Sequence, residues 1–574
     1  MQGPLPDGVN LGKRRGAAVT PVWRLLVLVV AAALPFAAGG ADDFLAPARD
    51  AGRLLAAIEA ERPSFTPPAG VTGISVPHHL VAADLVARGF WAASAGHYSR
   101  IIVISPDHFH AVKGAFATTR GSLHTVFGKL ASDRAGVNAL LEYPGLFEAL
   151  TDIDHEHGVM ALAPFIAHFF PDAEVLPVLA SINATPADWR AAAEHLKRLL
   201  GPETLIVQST DYSHYLPLGE AVLRDQESLA MIAAKDPRNV PPLLQPSHMD
   251  SKAAQFVQMA LQSEVYHSHP VVLANRNSAE YDSGTNRTTS YVVTAWLGDP
   301  QVASVFDYPD QTRVFFGGDV LAGRYLLPAL HDPKAWSAIA EAIDAAAKGK
   351  PLLVNLEGVI LGGPVTGLGA DEHLMLMEDA APVLSRFRTQ AASLANNHAN
   401  DLGEVGRAES SRLLSSIDIA SLEHGVVGDF GSFRVVAINF IRGRLTGERI
   451  ADPDDLEWVC KLAAAPPLIA FVHWGTEYTD RASAEESAIA DRLTACGASL
   501  VVGAHPHRAS PSIAPLAGGR GQMVYSLGNL LFDQSAPRGS GALMELRVFK
   551  QGTIAVRLVP IPNLFEVGRD ALGK

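Results

Sequence analysis

Five short apolar runs in the second half of the chain each stop at a side chain able to hold a metal ion, and that repetition constrains the fold more than any other feature. Arg313-Val314-Phe315-Phe316 runs into Gly317-Gly318-Asp319, and Pro351-Leu352-Leu353-Val354 into Asn355-Leu356-Glu357. Ala391-Ala392-Ser393-Leu394 leads to Asn396-Asn397-His398. Leu468-Ile469-Ala470-Phe471-Val472 leads to His473-Trp474-Gly475, with Glu477 beyond, and Ser499-Leu500-Val501-Val502 to Gly503-Ala504-His505-Pro506-His507. Each run has the length of a core strand, and helix-like segments such as Trp336 to Ala347 and Ala484 to Cys496 separate several of them, so the pattern predicts an α/β domain. If the strands are neighbours in one sheet, their carboxyl ends gather one Asp, one Glu, one Asn and four His. That donor set suits Mn, Fe or Zn and is large enough for two divalent ions. Glycines beside the ligands allow close backbone approach.

The first half repeats the grammar more loosely. Ile101-Ile102-Val103-Ile104 leads into Ser105-Pro106-Asp107-His108-Phe109-His110, and Leu205-Ile206-Val207-Gln208 into Ser209-Thr210-Asp211-Tyr212-Ser213-His214-Tyr215. Continuous apolar strands separated by helices predict a parallel or mixed sheet covered on both faces, with its ligands beyond the carboxyl ends of the strands. Pro77-His78-His79, Asp154-His155-Glu156-His157 and the loop from Asp282 to Arg287 add further polar clusters. Any one of these histidines can be an ordinary loop residue; together they predict a mononuclear metal site.

A chain of 574 residues is too long for one core, and these two patterns divide it into domains at 68–300 and 310–565. Residues 42–67 read as a helix running into a Pro-rich linker. Before them, Lys13, Arg14, Arg15 and Arg24 precede an apolar run from Leu25 to Ala38 and the small residues Gly39, Gly40 and Ala41. Residues 1–41 are therefore expected to be a secretion signal or an N-terminal membrane anchor, placing the protein in the periplasm or cell envelope. A net charge of −14 argues against nucleic acid and against a general anionic membrane surface. Cys460 and Cys496, the two cysteines of the chain, are expected as buried thiols in preference to a disulfide.

In the first domain, Pro77-His78, Ser105-Pro106-Asp107-His108, Glu156-His157 and Ser209 to Tyr215 resemble the Memo family (AmmeMemoRadiSam system protein B), whose fold is similar to class III extradiol dioxygenases. The resemblance implies metal binding by His78 and His108, with Glu156, His157, Asp211 and His214 facing a substrate. It departs from the family at Met160, where many members have an acidic residue, and at Asp250, near where many have a pocket cysteine. In the second domain the order Gly-Asp, Asn-Leu-Glu, Asn-Asn-His, His-Trp-Gly, Gly-x-His-Pro-His and Tyr525-Ser526-Leu527-Gly528-Asn529 resembles the CapA family of poly-gamma-glutamate capsule proteins, themselves similar to calcineurin-like metallophosphoesterases. By that resemblance Asp319, Glu357, Asn397, His473, His505 and His507 match metal ligands, and His398 matches the proton donor to a leaving group. Arg508, next to His507, is a candidate to meet an anionic substrate, with a solvated surface arginine as the commoner reading. Leu321 stands where phosphoesterases usually carry a histidine, which implies a weaker first metal position. The implied activity is an exported, metal-dependent hydrolysis of phosphoester type linked to synthesis or export of a cell-surface polymer, with an anionic small molecule or the polymer itself as partner. A non-catalytic polymer-binding or export factor is the alternative.

Overall fold

The computed structural model describes residues 44–45 and 50–574, apart from 152, 154, 285, 365–372, 444–449, 463–464 and 517. The expected secretion signal or anchor at 1–41 lies outside the described residues. Among the described residues no helix is long and apolar enough to cross a membrane.

The apolar runs of the first half become a nine-stranded sheet. Val71–Val76, Thr204–Ser209, Arg100–Pro106 and Glu174–Ala180 lie side by side and parallel at its centre. Their side chains alternate between two cores: Ile101, Val103, Leu205 and Val207 pack on one face, Ile102, Ile104 and Ile206 on the other. Burial on both faces is why these strands read as unbroken hydrophobic runs rather than alternating ones. Each such side chain contributes roughly 1.5–3 kcal/mol on leaving water. The helix Ala51–Ala60, anticipated between residues 42 and 67, starts on an Asp50 cap and packs Leu54 and Ile58 into the first of these cores.

The second half differs from expectation in one respect that matters for the site. Its ligand-bearing strands do not share a sheet. Gln311–Val320, Leu352–Leu356 and Thr389–Ser393 are parallel neighbours in one seven-stranded sheet, while Leu468–His473 and Ala498–Ala504 are parallel neighbours in a separate six-stranded sheet. The sheets meet through Val314, Phe316 and Leu353 from one and Phe471, Leu500 and Val502 from the other, with the rings of Phe316 and Phe471 edge to face at 5.6 Å. Helices Pro333–Ala347 and Leu564–Ala571 cover the outer face of the first sheet, and Ala484–Ala495, opened by a Ser483/Glu486 capping box, covers the second. Ligands therefore converge from two facing layers.

Cys460 and Cys496 are joined in a disulfide, against the expectation of two thiols. Their Cα atoms are 4.1 Å apart because the helix Glu457–Cys460 ends against the end of helix Ala484–Ala495, a proximity that 36 residues of separation hides in the sequence.

The two halves interlock. Arg88 is ion-paired at 2.7 Å to Glu61 and at 3.0 Å to Asp310, and Arg276 meets the same Asp310 at 2.5 Å. From helix Leu218–Ala234, the Gln226 amide donates to the Ile554 carbonyl at 3.2 Å and its oxygen accepts the Ile554 N–H at 2.8 Å.

Candidate metal centres

In the second half, Asp319 closes strand Gln311–Val320 and is fully buried. A Cβ on the preceding Gly318 would lie 1.8 Å from the Gly528 carbonyl oxygen, so glycine is what lets the two segments touch. Glu357 follows strand Leu352–Leu356, fixed by its N–H to the Val320 carbonyl at 3.0 Å. His473 ends its strand, while His505 and His507 leave theirs with φ of 96° and 58°. Left-handed backbone at two histidines separated by a single proline is costly, and both side chains are buried.

Three sets of ligand atoms result, each within 4.8 Å of one another: Asp319, Glu357 and His507; Glu357, His473 and His505; and, less deeply buried, Glu357, His373 and His398. Glu357 belongs to all three. His507 Nδ1 lies 3.2 Å from Asp319 and 4.0 Å from Glu357, and His473 Nε2 lies 3.7 Å from Glu357 and 2.7 Å from Asn397 Oδ1. Asn355 braces the centre, its amide donating to Asp319 at 2.8 Å and standing 3.2 Å from His473 Nδ1. Asn396, beside the expected ligand Asn397, turns back on the protein: its amide donates to the Leu356 carbonyl and its oxygen accepts from the His398 and Ala399 N–H groups.

Burial and mutual charge perturb the groups of this cluster in both directions. Burial and the facing Asp319 push the Glu357 carboxyl well above its ordinary range. Burial and the neighbouring imidazoles pull His473 far down and His505 to about 4. Burial opposes charge on His507 as well, yet Glu357 and Asp319 outweigh it and raise it to about 9. Glu357 Oε2 and His505 Nδ1 are buried with no hydrogen-bond partner. Carboxylate oxygen, imidazole nitrogen and amide oxygen with unspent lone pairs fit a divalent ion.

His398 stands at the rim. Its Nδ1 is 2.9 Å from Asp401 Oδ2, and its ring stacks on His373 at 3.6 Å. The same Asp401 oxygen accepts the His373 N–H at 2.8 Å. Sequence reading missed His373, which no strand run announces, and did not assign Asp401, although the i, i+3 spacing from His398 was available. Leu321 is buried in the core and donates no ligand. Arg508 is ion-paired to Asp480 at 3.3 Å, with 38% of its side chain exposed.

The first half builds a smaller centre two residues past three parallel strands, where His78, His108 and Asp211 lie. His78, His108 and His157 form one close set, and His78, Asp211 and Asp250 another. His78 Nε2 is 3.1 Å from Asp250 and 3.7 Å from Asp211, while the rings of His108 and His157 stack at 3.9 Å. Glu156 accepts from the His108 N–H at 2.9 Å and lies 2.6 Å from its Nδ1, so it orients that ring. Burial works against a charged His108, but Asp250 and Glu156 raise it to about 10; burial and His108 lower His157 to about 4. Asp250 Oδ1 is buried without a partner, and the donor set fits a single ion. His214 lies outside both sets, its N–H bonded to Pro246 at 3.2 Å. A cavity of about 210 Å³, lined by Asp107, Phe109, His155 and Glu156 among others, opens beside the centre.

The chain thus pairs two α/β domains, each gathering imidazoles and carboxylates beyond strand ends in sets that could hold a metal ion. Residues 49–295 match the family described as Memo-like protein, and residues 313–430 and 447–534 match the bacterial capsule synthesis protein PGA_cap. The chain is a fusion of a Memo-like domain with a CapA-type, metallophosphoesterase-like domain. It is 25% identical over 297 residues to the PGA biosynthesis protein CapA of Bacillus subtilis, spanning 46% of this chain and 76% of that one. It is 26% identical over 214 residues to the capsule biosynthesis protein CapA of Bacillus anthracis, spanning 33% and 51%. A MEMO1 family protein of Methanothermobacter thermautotrophicus is 25% identical over 173 residues, spanning 29% and 62%. The matched region thus amounts to about half of the B. anthracis protein's length.

Proposed function

We propose that the CapA-type domain is a metal-dependent hydrolase of phosphoester type acting outside the cytoplasm in the synthesis or export of an anionic surface polymer, and that the Memo-like domain is a second metal-binding module. The observation that carries the reading is the sharing of Glu357 among three ligand sets, two of them fully buried. Asp319, Glu357 and His507 would hold one divalent ion, and Glu357, Asn397, His473 and His505 a second. Such ions lower the pKa of bound water toward neutrality and hold phosphoryl oxygens. Asn355 keeps Asp319 and His473 in register for that task. His398, with Nδ1 turned to Asp401, presents Nε2 as the atom that delivers a proton to the departing oxygen. In the Memo-like domain His78, His108, His157 and Asp250 would hold one ion, and Glu156 orients His108. The Cys460–Cys496 disulfide supports an oxidising compartment, in keeping with the basic and apolar N-terminal sequence.

The test is turnover of generic phosphoesters by the full chain loaded with Mn²⁺, beside His398→Ala and Asp319→Ala, with metal content measured on each. Large losses in both variants are expected. Equal turnover in all three proteins, with polymer binding insensitive to chelator, would replace this reading with a non-catalytic polymer-binding factor.

A further inference from the structure

The sheet face that the CapA-type domain turns toward the Memo-like domain carries a buried charge imbalance. Arg313, Glu545, Arg547 and Arg557 come from three adjacent strands, and their side chains are 2%, 0%, 3% and 7% exposed. The antiparallel register sets Arg313 directly across from Arg547, and Glu545 across from Arg557. Like charges facing across a ladder repel. Glu545 is the one carboxylate these guanidiniums share, at 2.6 Å from Arg313 and 2.7 Å from Arg547, with Arg557 on its other oxygen. The remaining acceptors are neutral: the Phe306 carbonyl at 2.8 Å and Gln311 Oε1 at 3.3 Å for Arg547, and Ser304 Oγ at 2.8 Å and the Pro300 carbonyl for Arg557.

Three guanidiniums share the buried Glu545, and the exposed Asp299 acts only on Arg557 from outside, so the buried cluster keeps a net positive charge. Arg547 Nε and Arg313 Nη2 are buried with no hydrogen-bond partner. The imbalance is strong enough to draw Arg547 down to about 10, burial being the largest cause. An unpaired buried charge is strongly unfavourable, so the arrangement calls for a counter-charge. Beside it, between Val271 and Val272 of the Memo-like domain and Glu545, Arg547 and Arg557, lies a cavity of about 10 Å³. That is room for the centre of a water-sized particle to move, so the cavity admits one particle somewhat larger than water.

We propose that this cavity binds a single small monovalent anion of chloride size, held by Arg547 and Arg557, and that the anion helps fasten the two domains together. It is distinct from both metal centres and is independent of the hydrolytic reading.

Two measurements on the full chain test it. Crystals grown or soaked in bromide are expected to show an anomalous peak in the cavity beside Arg547. Thermal unfolding at equal ionic strength is expected to show a saturable rise in Tm with chloride over gluconate, absent in Arg547→Gln. Should that variant fail to fold, the wild-type bromide map and the chloride–gluconate comparison decide. Density for water with no anomalous signal, or identical Tm in chloride and gluconate at every concentration, would overturn the proposal.

Discussion

His398 has Nδ1 committed to Asp401 and one ring face to His373, so Nε2 is the atom left to exchange a proton. Replacing it with Ala is expected to lower kcat on phosphoesters by roughly 10²–10⁴. Asp401→Asn keeps the shape but loses the charge that favours an Nδ1 donor, so it should cost less than His398→Ala and act on kcat more than on KM; an unchanged kcat would deny Asp401 its orienting role. Glu357→Gln is expected to empty both metal positions of the second domain, whereas Asp319→Asn depletes one, as elemental analysis of the two variants reads. At this scale the sequence was informative where chemistry and chain order coincide. Asn397, His473, His505 and His507 each follow an apolar run, and the structure gathers them. Asp250 stood out because an acid replaces a thiol, and it sits 3.1 Å from His78. His373 and the brace Asn355 are visible only once separate strands are brought together, since their meaning lies in the contact and not in any spacing.

Elements were legible for the same reason that core strands are apolar: Gln311–Val320, Leu352–Leu356, Leu468–His473 and Ala498–Ala504 each contain a run that burial on both faces requires. What periodicity does not encode is which sheet a strand joins, because Phe316 and Phe471 are equally apolar whether side by side or face to face. The condition of one shared sheet is not met there, though the α/β, metallophosphoesterase-like class holds. The expectation of two thiols failed at Cys460 and Cys496, where two helix ends meet across 36 residues. Closing that loop restricts the unfolded chain, and reduction or Cys460→Ser is expected to lower stability by roughly 2–4 kcal/mol, read as a fall in Tm under reductant.

At the scale of the whole molecule the interface carries its own titration. Asp225 is buried between the domains, accepting from Ser213 at 2.6 Å, Asn275 at 3.2 Å and Gln551 at 3.3 Å. Burial outweighs those bonds and raises it from 3.8 to about 6. A carboxyl whose folded pKa is raised contributes stability that is present below pH 4 and lost as pH rises through about 6. The contribution is on the order of 3 kcal/mol. Asp225→Asn removes that slope, so the Tm difference between variant and wild type should shift in the variant's favour between pH 4 and pH 6 and level off above. A difference independent of pH would show that Asp225 stays ionised throughout. The hydrogen bonds of Gln226 with Ile554 have another consequence. Strand Ile554–Ile561 is the last of its sheet, and the Gln226 side chain supplies the donor and acceptor that a further strand would have offered. Cut away from residues 68–300, the CapA-type domain would present an open, apolar strand edge to its neighbours, and such edges recruit other copies. Expressed alone, residues 310–574 should therefore self-associate through that strand, which makes the Memo-like domain a guard against aggregation as well as a second candidate metal site.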